Sequence, residues 1–293
     1  MANINLLIID AQWDFCHAGS RYYDPSTPIS DPFEYFIHSP GALYVEGAYG
    51  DCIRLGGLIK DSKDKIGDIF ATMDSHSPNH IAHCDFWRDK AGNMPVPFTV
   101  LLYEDVIGVG RKWYASNPAN QEWAETYVAS LTERGRNPLC TWPKHCIMGT
   151  LGWAMYPFVQ KAVQEWCESQ RKDVIWQLKG QSALTEMYSA VEADVIDPND
   201  PRTEFNEGFT NLVCGGDLIA IAGQASSHCV MWTYRDMARF IGEEELAKKT
   251  VFLTDAMSPV PLPPCIEAAN SFLQEYKDKG AQTCTCEEFL SGV

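Results

Sequence analysis

Apolar residues along the chain follow two alternating patterns. Short, nearly unbroken apolar runs at residues 4–9, 69–73, 174–178, 217–222 and 251–254 have the length and composition of strands buried on both faces. Residues 52–59, 122–131, 155–166, 230–240 and 265–276 instead carry apolar side chains at three- and four-residue spacing, the signature of helices with one buried side. This alternation predicts an α/β fold: a three-layer, doubly wound, mostly parallel sheet with right-handed crossovers and helices on both faces. The pattern reads as one domain spanning residues 1–293. Residues 18–40, rich in aromatics, Pro, Ser and Asp, and residues 84–138, which mix Pro- and Gly-rich stretches with one helix, fit it poorly. Both read as loop-rich insertions, which form lids or oligomer contacts in some proteins and plain surface decoration in others. A homo-oligomer therefore stays open.

At 293 residues, 45% of them hydrophobic and 21% charged, the chain can bury a sizeable core. Its net charge of -16 repels phosphate backbones and anionic lipid, so nucleic acid is not expected as a partner. No run approaches the roughly 18 uninterrupted apolar residues of a membrane span. Met1-Ala2-Asn3-Ile4-Asn5 also lacks the basic start of a signal peptide. A soluble, cytoplasmic protein is expected. The eleven cysteines form no framework pattern and read as reduced thiols, mostly core filler. Cys284-x-Cys286 reads as incidental.

In doubly wound sheets ligands bind at the carboxyl ends of the strands. Asp10, Asp74, Lys179 and the Gly223 turn all close apolar runs. Each alone is ordinary loop chemistry; four together with a cysteine weigh more. In Gly223-Gln224-Ala225-Ser226-Ser227-His228-Cys229-Val230, Cys229 falls in the first turn of a helix that follows a buried strand. Unpaired backbone N–H groups and the positive end of the helix dipole there favour thiolate over thiol. Asp10 can take the thiol proton, and an ammonium at Lys179 lowers the cost of two anions lying close together. His228 cannot pair with its immediate neighbour across a helix surface and reads as structural.

Five separated segments resemble the nicotinamidase and isochorismatase-like cysteine hydrolases, and their order and approximate spacing agree with the family. Leu6-Leu7-Ile8-Ile9-Asp10-Ala11-Gln12-Trp13-Asp14-Phe15 is similar to the family's opening strand with its Asp-x-Gln-x-Asp-Phe phrase. Asp74-Ser75-His76-Ser77-Pro78-Asn79-His80 resembles the metal motif Asp-Trp-His-Pro-x-x-His, with Ser75 in place of tryptophan. Trp142-Pro143-Lys144-His145-Cys146-Ile147-Met148-Gly149-Thr150 resembles Trp-Pro-x-His-Cys-x-x-Gly-Thr. Trp176-Gln177-Leu178-Lys179-Gly180 fits the strand that ends in the catalytic lysine, and Gly223 to Val230 fits the nucleophile turn. The insertions lie outside the resemblance.

The resemblance implies a hydrolase of linear amide bonds, with Cys229 as nucleophile, Asp10 as general base and Lys179 as the cation between them. The backbone N–H groups of Ala225 and Cys229 would form the oxyanion hole, an arrangement that in this family depends on a non-proline cis peptide, here Gln224–Ala225. Asp74, His76 and His145 would hold a divalent metal, zinc first, with manganese or iron also suited. His80 ranks below these three, and His83 and Cys84 are left out because a larger donor set would close the site. Phe15, Trp142 and Tyr188 match aromatic pocket positions. The implied reaction turns a small heteroaromatic amide such as nicotinamide into its acid and ammonia, as in NAD salvage. Two alternatives are an amidase acting on a carbamoyl or maleamate-type amide, and a catalytically retired metal- or partner-binding member.

Overall fold

The computed structural model describes residues 3–19 and 39–292, so most of the insertion expected at 18–40 lies outside the described residues. Six strands form the main sheet: β1 (Ile4–Ile9), β2 (Ile66–Asp74), β3 (Ile175–Lys179), β4 (Leu218–Gly223), β5 (Thr250–Leu253) and β6 (Gln282–Cys284). Their order is β6-β5-β4-β1-β2-β3, and every neighbouring pair is parallel. The five predicted strands are all present. The short β6 edge strand, polar in sequence, is additional.

Side chains along each strand alternate between two separate cores, as a strand period of two requires. Leu7, Ile9, Phe70, Ile219, Ile221 and Phe252 join one core. Leu6, Ile8, Ile69, Ala71, Ala220, Ala222, Val251 and Leu253 join the other. The first is covered by α2 (Gln121–Glu133), α4 (Glu207–Cys214), α5 (Cys229–Ile241) and α6 (Pro263–Asp278), through Tyr127, Phe209, Tyr234 and Phe272. The second is covered by α1 (Ala48–Asp61) and α3 (Pro157–Gln170), through Leu55, Leu58, Val159 and Trp166. The result is a three-layer α/β fold. The central strands β1, β4 and β5 read as almost continuous apolar runs because both faces are dry. The run at 174–178, expected to be buried on both faces, instead forms the edge strand β3 and exposes Trp176 and Leu178.

Local signals fix the helix ends. Proline occupies the first turn of α3 and of α6, where its missing N–H costs nothing. The Asn206 side chain caps α4, accepting the Phe209 N–H at 3.0 Å. The 84–138 segment is more ordered than a loop-rich insertion. Besides α2 it contributes Trp87–Arg88 paired with Tyr114–Ala115, and Thr99–Leu101 paired with Leu139–Thr141. Its Trp87, Leu101, Val106 and Trp113 belong to the main core. Among the described residues, no helix is long and apolar enough to cross a membrane.

The chain runs outward from β1 through β2 to β3, then returns to β4 on the other side of β1. The carboxyl ends of β1 and β4 therefore flank a topological switch point, where such sheets leave a crevice. Ile9 and Gly223 stand opposite each other in the register there. Gly223 has φ +124°, and a Cβ on it would run into the Ile9 carbonyl, so only glycine fits.

Candidate active site and metal centre

Asp10 leaves β1 with φ +46°, and Thr72 of β2 holds it in place. The Thr72 hydroxyl donates to Asp10 Oδ1 at 2.6 Å and accepts the Asp10 backbone N–H at 3.1 Å. Lys179, the last residue of β3, reaches past β2 into the same crevice. Its Nζ lies 3.0 Å from Asp10 Oδ2, 3.0 Å from Asp74 Oδ1 and 3.0 Å from the Met187 carbonyl oxygen. Three acceptors meet the three ammonium hydrogens, and all three side chains are buried.

The two carboxylates are pushed in opposite directions. Burial raises the Asp10 carboxyl, and Lys179 only partly offsets this. For Asp74, burial is outweighed by His76 and Lys179, which hold it well below the usual carboxylate range. Burial alone would lower the Lys179 ammonium, but Asp10 and Asp74 hold it well above the ordinary lysine value. Of the two, Asp10 is the carboxyl chemically better suited to exchange a proton.

Cys229 opens α5, as the turn motif predicts, and lies within reach of Asp10 and Lys179. The helix-start argument favours thiolate, but burial dominates and pushes the thiol well above its ordinary value, with Lys179 pulling the other way. The turn before Cys229 is tied down by the Gln224 side chain, which donates to Asp51 Oδ2 at 2.8 Å, and by the Gln224 N–H, which donates to the Ile9 carbonyl at 2.8 Å. The Gln224–Ala225 peptide is cis. Among the described residues, neither the Ala225 nor the Cys229 N–H meets an acceptor, leaving two adjacent donors beside the sulfur.

Four histidines gather around Asp74. His76 Nε2 lies 2.9 Å and His145 Nε2 3.4 Å from Asp74 Oδ2, so the three predicted ligands converge and their donor atoms fall within 4.8 Å of one another. His145 Nδ1 sits 2.9 Å from the Pro143 carbonyl. A carbonyl can only accept, so Nδ1 carries a hydrogen and Nε2 is the nitrogen turned toward Asp74. The donor set of one carboxylate and imidazole nitrogens fits a divalent ion of the zinc, manganese or iron class. Among the described residues, the ring nitrogens of His76 and His83 and Nε2 of His80 lack a hydrogen-bond partner of ordinary geometry despite complete burial, which also fits. His80 joins the cluster, its ring 4.1 Å from that of His76. His83, read from sequence as outside the site, is in it as well: its ring lies 5.1 Å from His76 and 5.4 Å from His145. Cys84 turns away, toward the Trp142 carbonyl.

The opening motif positions this cluster from below. Gln12 donates to the Asp74 carbonyl at 2.8 Å and accepts the Asp74 N–H at 2.7 Å. Asp14 accepts the Cys146 N–H at 2.7 Å, fixing the residue after His145. Where the family has tryptophan, the Ser75 hydroxyl accepts the indole N–H of Trp153 at 2.8 Å, so a tryptophan from another segment packs at that position. Gly180 has φ +71°, and a Cβ there would lie 2.8 Å from Asp74 Oδ1.

One cavity joins the two groups. Phe15, Trp142 and Tyr188, the three aromatic residues singled out in the sequence, line it together with Asp74, His145, Ala225 and Cys229. Trp142 Nε1 donates to the Tyr188 hydroxyl at 3.1 Å, and Phe15 packs against the His145 ring at 5.4 Å. His228 lines the wall, packed edge-on against Trp142 and Tyr188, so it is more than a structural residue of the helix start. Leu43, Val45, Glu186 and Val260 also line the cavity without any motif to mark them. Glu186 could have been suspected as an acidic residue two positions before Tyr188.

Solved structures of nicotinamidases and pyrazinamidases share this architecture. An Acinetobacter baumanii nicotinamidase/pyrazinamidase matches with a TM-score of 0.57 at 19% identity, over 99% of each chain. Yeast nicotinamidase matches with a TM-score of 0.57 at 18% identity, over 96% of this chain and 98% of that one. A Pyrococcus horikoshii pyrazinamidase in complex with zinc matches with a TM-score of 0.50 at 19% identity, over 97% of this chain and 99% of that one. No family model and no curated protein matches the chain. The structural likeness establishes the fold, the mostly parallel α/β architecture of the isochorismatase-like hydrolases, as the five motifs imply.

Proposed function

We propose that the protein is a cysteine amidohydrolase that converts a small heteroaromatic amide such as nicotinamide into its acid and ammonia through a thioester. The observation that carries this reading is the buried Asp10, Lys179 and Cys229 group. Lys179 is 3.0 Å from Asp10, and Cys229 opens onto an aromatic-lined cavity.

In the first half-reaction Asp10 takes the Cys229 proton as the sulfur attacks the amide carbon, and the Ala225 and Cys229 N–H groups receive the developing oxyanion. Collapse breaks the C–N bond, and the proton held on Asp10 passes to the leaving nitrogen as ammonia. In the second half Asp10 takes a proton from water, which attacks the thioester carbon. The sulfur leaves and recovers its proton, and the acid is released. A raised Asp10 carboxyl suits both directions of transfer. Lys179 keeps its charge throughout, so the carboxylate and the developing thiolate never face each other unscreened. A divalent ion held by Asp74, His76 and His145 would supply Lewis acidity toward a ring nitrogen of the substrate. Phe15 and Trp142 would confine the ring and exclude water.

The observation favouring another small amide is Glu186, a second acidic residue lining the cavity beside Asp74, which suits a substrate bearing an extra hydrogen-bond donor. Ammonia release measured on nicotinamide, pyrazinamide and several aliphatic amides, with Cys229→Ala as control and metal content determined in parallel, tests both. No turnover of any heteroaromatic amide by metal-loaded protein would refute the first reading.

A further inference from the structure

The 84–138 segment reaches the catalytic cavity at Phe98. Its strand Thr99–Leu101 pairs with Leu139–Thr141 so that Thr99 lies opposite Thr141, which sets Phe98 beside Trp142 at one end of the ladder. The Phe98 N–H donates to the Thr141 carbonyl at 2.6 Å, and the Phe98 and Trp142 rings meet edge-on at 5.6 Å. Phe98 holds φ +68°, a left-handed conformation that a bulky residue keeps only where its surroundings enforce it. The strain does not serve burial, since Phe98 is 50% exposed. Val100 and Leu262, which line the same hollow as Phe98, are exposed as well. A contiguous apolar patch held toward solvent in this way marks a place for an apolar ligand.

Phe98 forms one side of an apolar annex to the catalytic cavity. Leu43, Val45 and Val260 line both that cavity and a neighbouring hollow that continues to Phe98, Pro261 and Leu262. The hollow measures about 270 Å³ and the catalytic cavity about 40 Å³, so bulk beyond a ring-sized head group has room in the annex and not in the cavity itself. The side that carries Val260 is tied to the nucleophile turn. The Ser226 N–H donates to the Ser258 carbonyl at 2.9 Å, and the Val260 N–H donates to the Ser227 hydroxyl at 3.1 Å. The annex therefore holds a fixed position relative to Cys229. Among the described residues, none of the side chains lining it is charged, although the chain carries a net charge of -16. A charged group would lose its water there without gaining a partner, whereas an alkyl or aryl group is drawn in.

We propose that the annex is a substrate subsite: the amide hydrolysed by this protein carries an apolar aryl or alkyl substituent that leaves the catalytic cavity past Val260 and packs against Phe98 and Leu262. This names a substrate class for the amidase reading above and rests on it. The test measures ammonia release by metal-loaded, full-length protein from nicotinamide and from nicotinamides bearing n-butyl or phenyl on ring carbon 5 or 6. The readout is the ratio of kcat/KM for the best substituted amide to that for nicotinamide, so that a general loss of activity cancels. Hydrophobic pockets discriminate by about tenfold or more for a single methylene, and a wild-type ratio of at least about ten is expected. Phe98→Asp and Leu262→Asp should each lower that ratio at least fivefold, with circular dichroism checking that the variants fold. Leu262 is 45% exposed, so Leu262→Asp decides should Phe98→Asp fail to fold. A wild-type ratio of about three or less, or a ratio that Leu262→Asp leaves unchanged, overturns the inference, while ammonia release from nicotinamide keeps the amidase reading. A dimer that Leu262→Asp dissociates in size-exclusion chromatography, with the ratio unchanged, also overturns it and makes the annex an interface between copies of the chain. If no amide is turned over, the amidase reading fails and calorimetric binding of the same phenyl-substituted amides decides. Binding at least fivefold weaker in Leu262→Asp than in wild type supports the subsite; equal or absent binding sinks both.

Discussion

Replacing Lys179 with methionine removes the one positive charge from a buried group of acids while keeping most of its volume. Lys179 Nζ stands 3.0 Å from Asp10 Oδ2 and 3.0 Å from Asp74 Oδ1. At an effective dielectric near 20, each contact carries about 5–6 kcal/mol of Coulomb attraction. Desolvation of the three charges and repulsion between the carboxylates cancel much of this, so the net cost of removing the lysine is about 3–5 kcal/mol, as for other broken buried pairs. Two consequences are measurable. In denaturant unfolding at pH 7 the variant should lose that amount, and the loss should shrink toward pH 5 as Asp10, already raised by burial, takes up a proton. The Cys229 thiol, which Lys179 now pulls down against burial, should rise further, and its alkylation by iodoacetamide at pH 7 should slow at least tenfold, one pKa unit being about 1.4 kcal/mol. A Lys179→Met protein that unfolds like wild type and alkylates at the wild-type rate would refute the electrostatic account of this group.

Thr72→Val keeps the shape of the side chain but deletes the 2.6 Å bond to Asp10 Oδ1. It should cost about 1.5–3 kcal/mol and move the acidic limb of the amide-hydrolysis profile to higher pH; an unmoved limb would count against Asp10 as the base. Gly180→Ala forces a Cβ to within 2.8 Å of Asp74 Oδ1 at φ +71°. A loss of roughly 1–3 kcal/mol in thermal or denaturant unfolding, with weaker zinc retention, is expected. The His228 imidazole is lowered by burial to about 4. Between its unfolded value near 6.5 and about 4, the unfolded chain binds a proton that the folded chain refuses. That stabilisation is present above pH 6.5 and lost as pH falls toward 4. His228→Gln should therefore lose less stability over this interval, by at most roughly 3 kcal/mol, and equal acid sensitivity in the two proteins would refute the assignment.

Much of the fold can be read from the chain because β1, the second half of β2 and β4 are dry on both faces, so their runs are nearly all apolar. The elements that escape have weaker reasons to look regular. Strand β6, Gln282–Cys284, sits at the sheet edge with half-exposed side chains and carries no apolar run. Helix α4 is only eight residues long, too short for a periodic pattern to stand out, although Asn206 three residues before Phe209 is a usable cap signal. In the site, Asp10, Asp74, Lys179 and Cys229 are legible because each follows or closes a strand. Leu43, Val45 and Val260 are not, because only tertiary folding brings these loop residues to the cavity. Two physical arguments from sequence also fall short. A helix start favours thiolate, but for Cys229 the sign is set by the depth of burial. Counting donors argues against His83, yet a backbone bridge to Trp142 carries its ring into the cluster.

Asp74 spends its two oxygens on different partners: Oδ1 touches Lys179, while Oδ2 faces His76 and His145. The nucleophile group and the ion-binding group therefore share one residue, and any change to that carboxylate disturbs both. An inactive Asp74→Asn protein says nothing about whether the ion is needed, since Lys179 would have lost an anchor in the same step. The question can be put cleanly only at His76 or His145, which meet Asp74 through Oδ2 and leave the Lys179 contact standing. In genetic terms the two histidines permit a separation of function that the aspartate forbids.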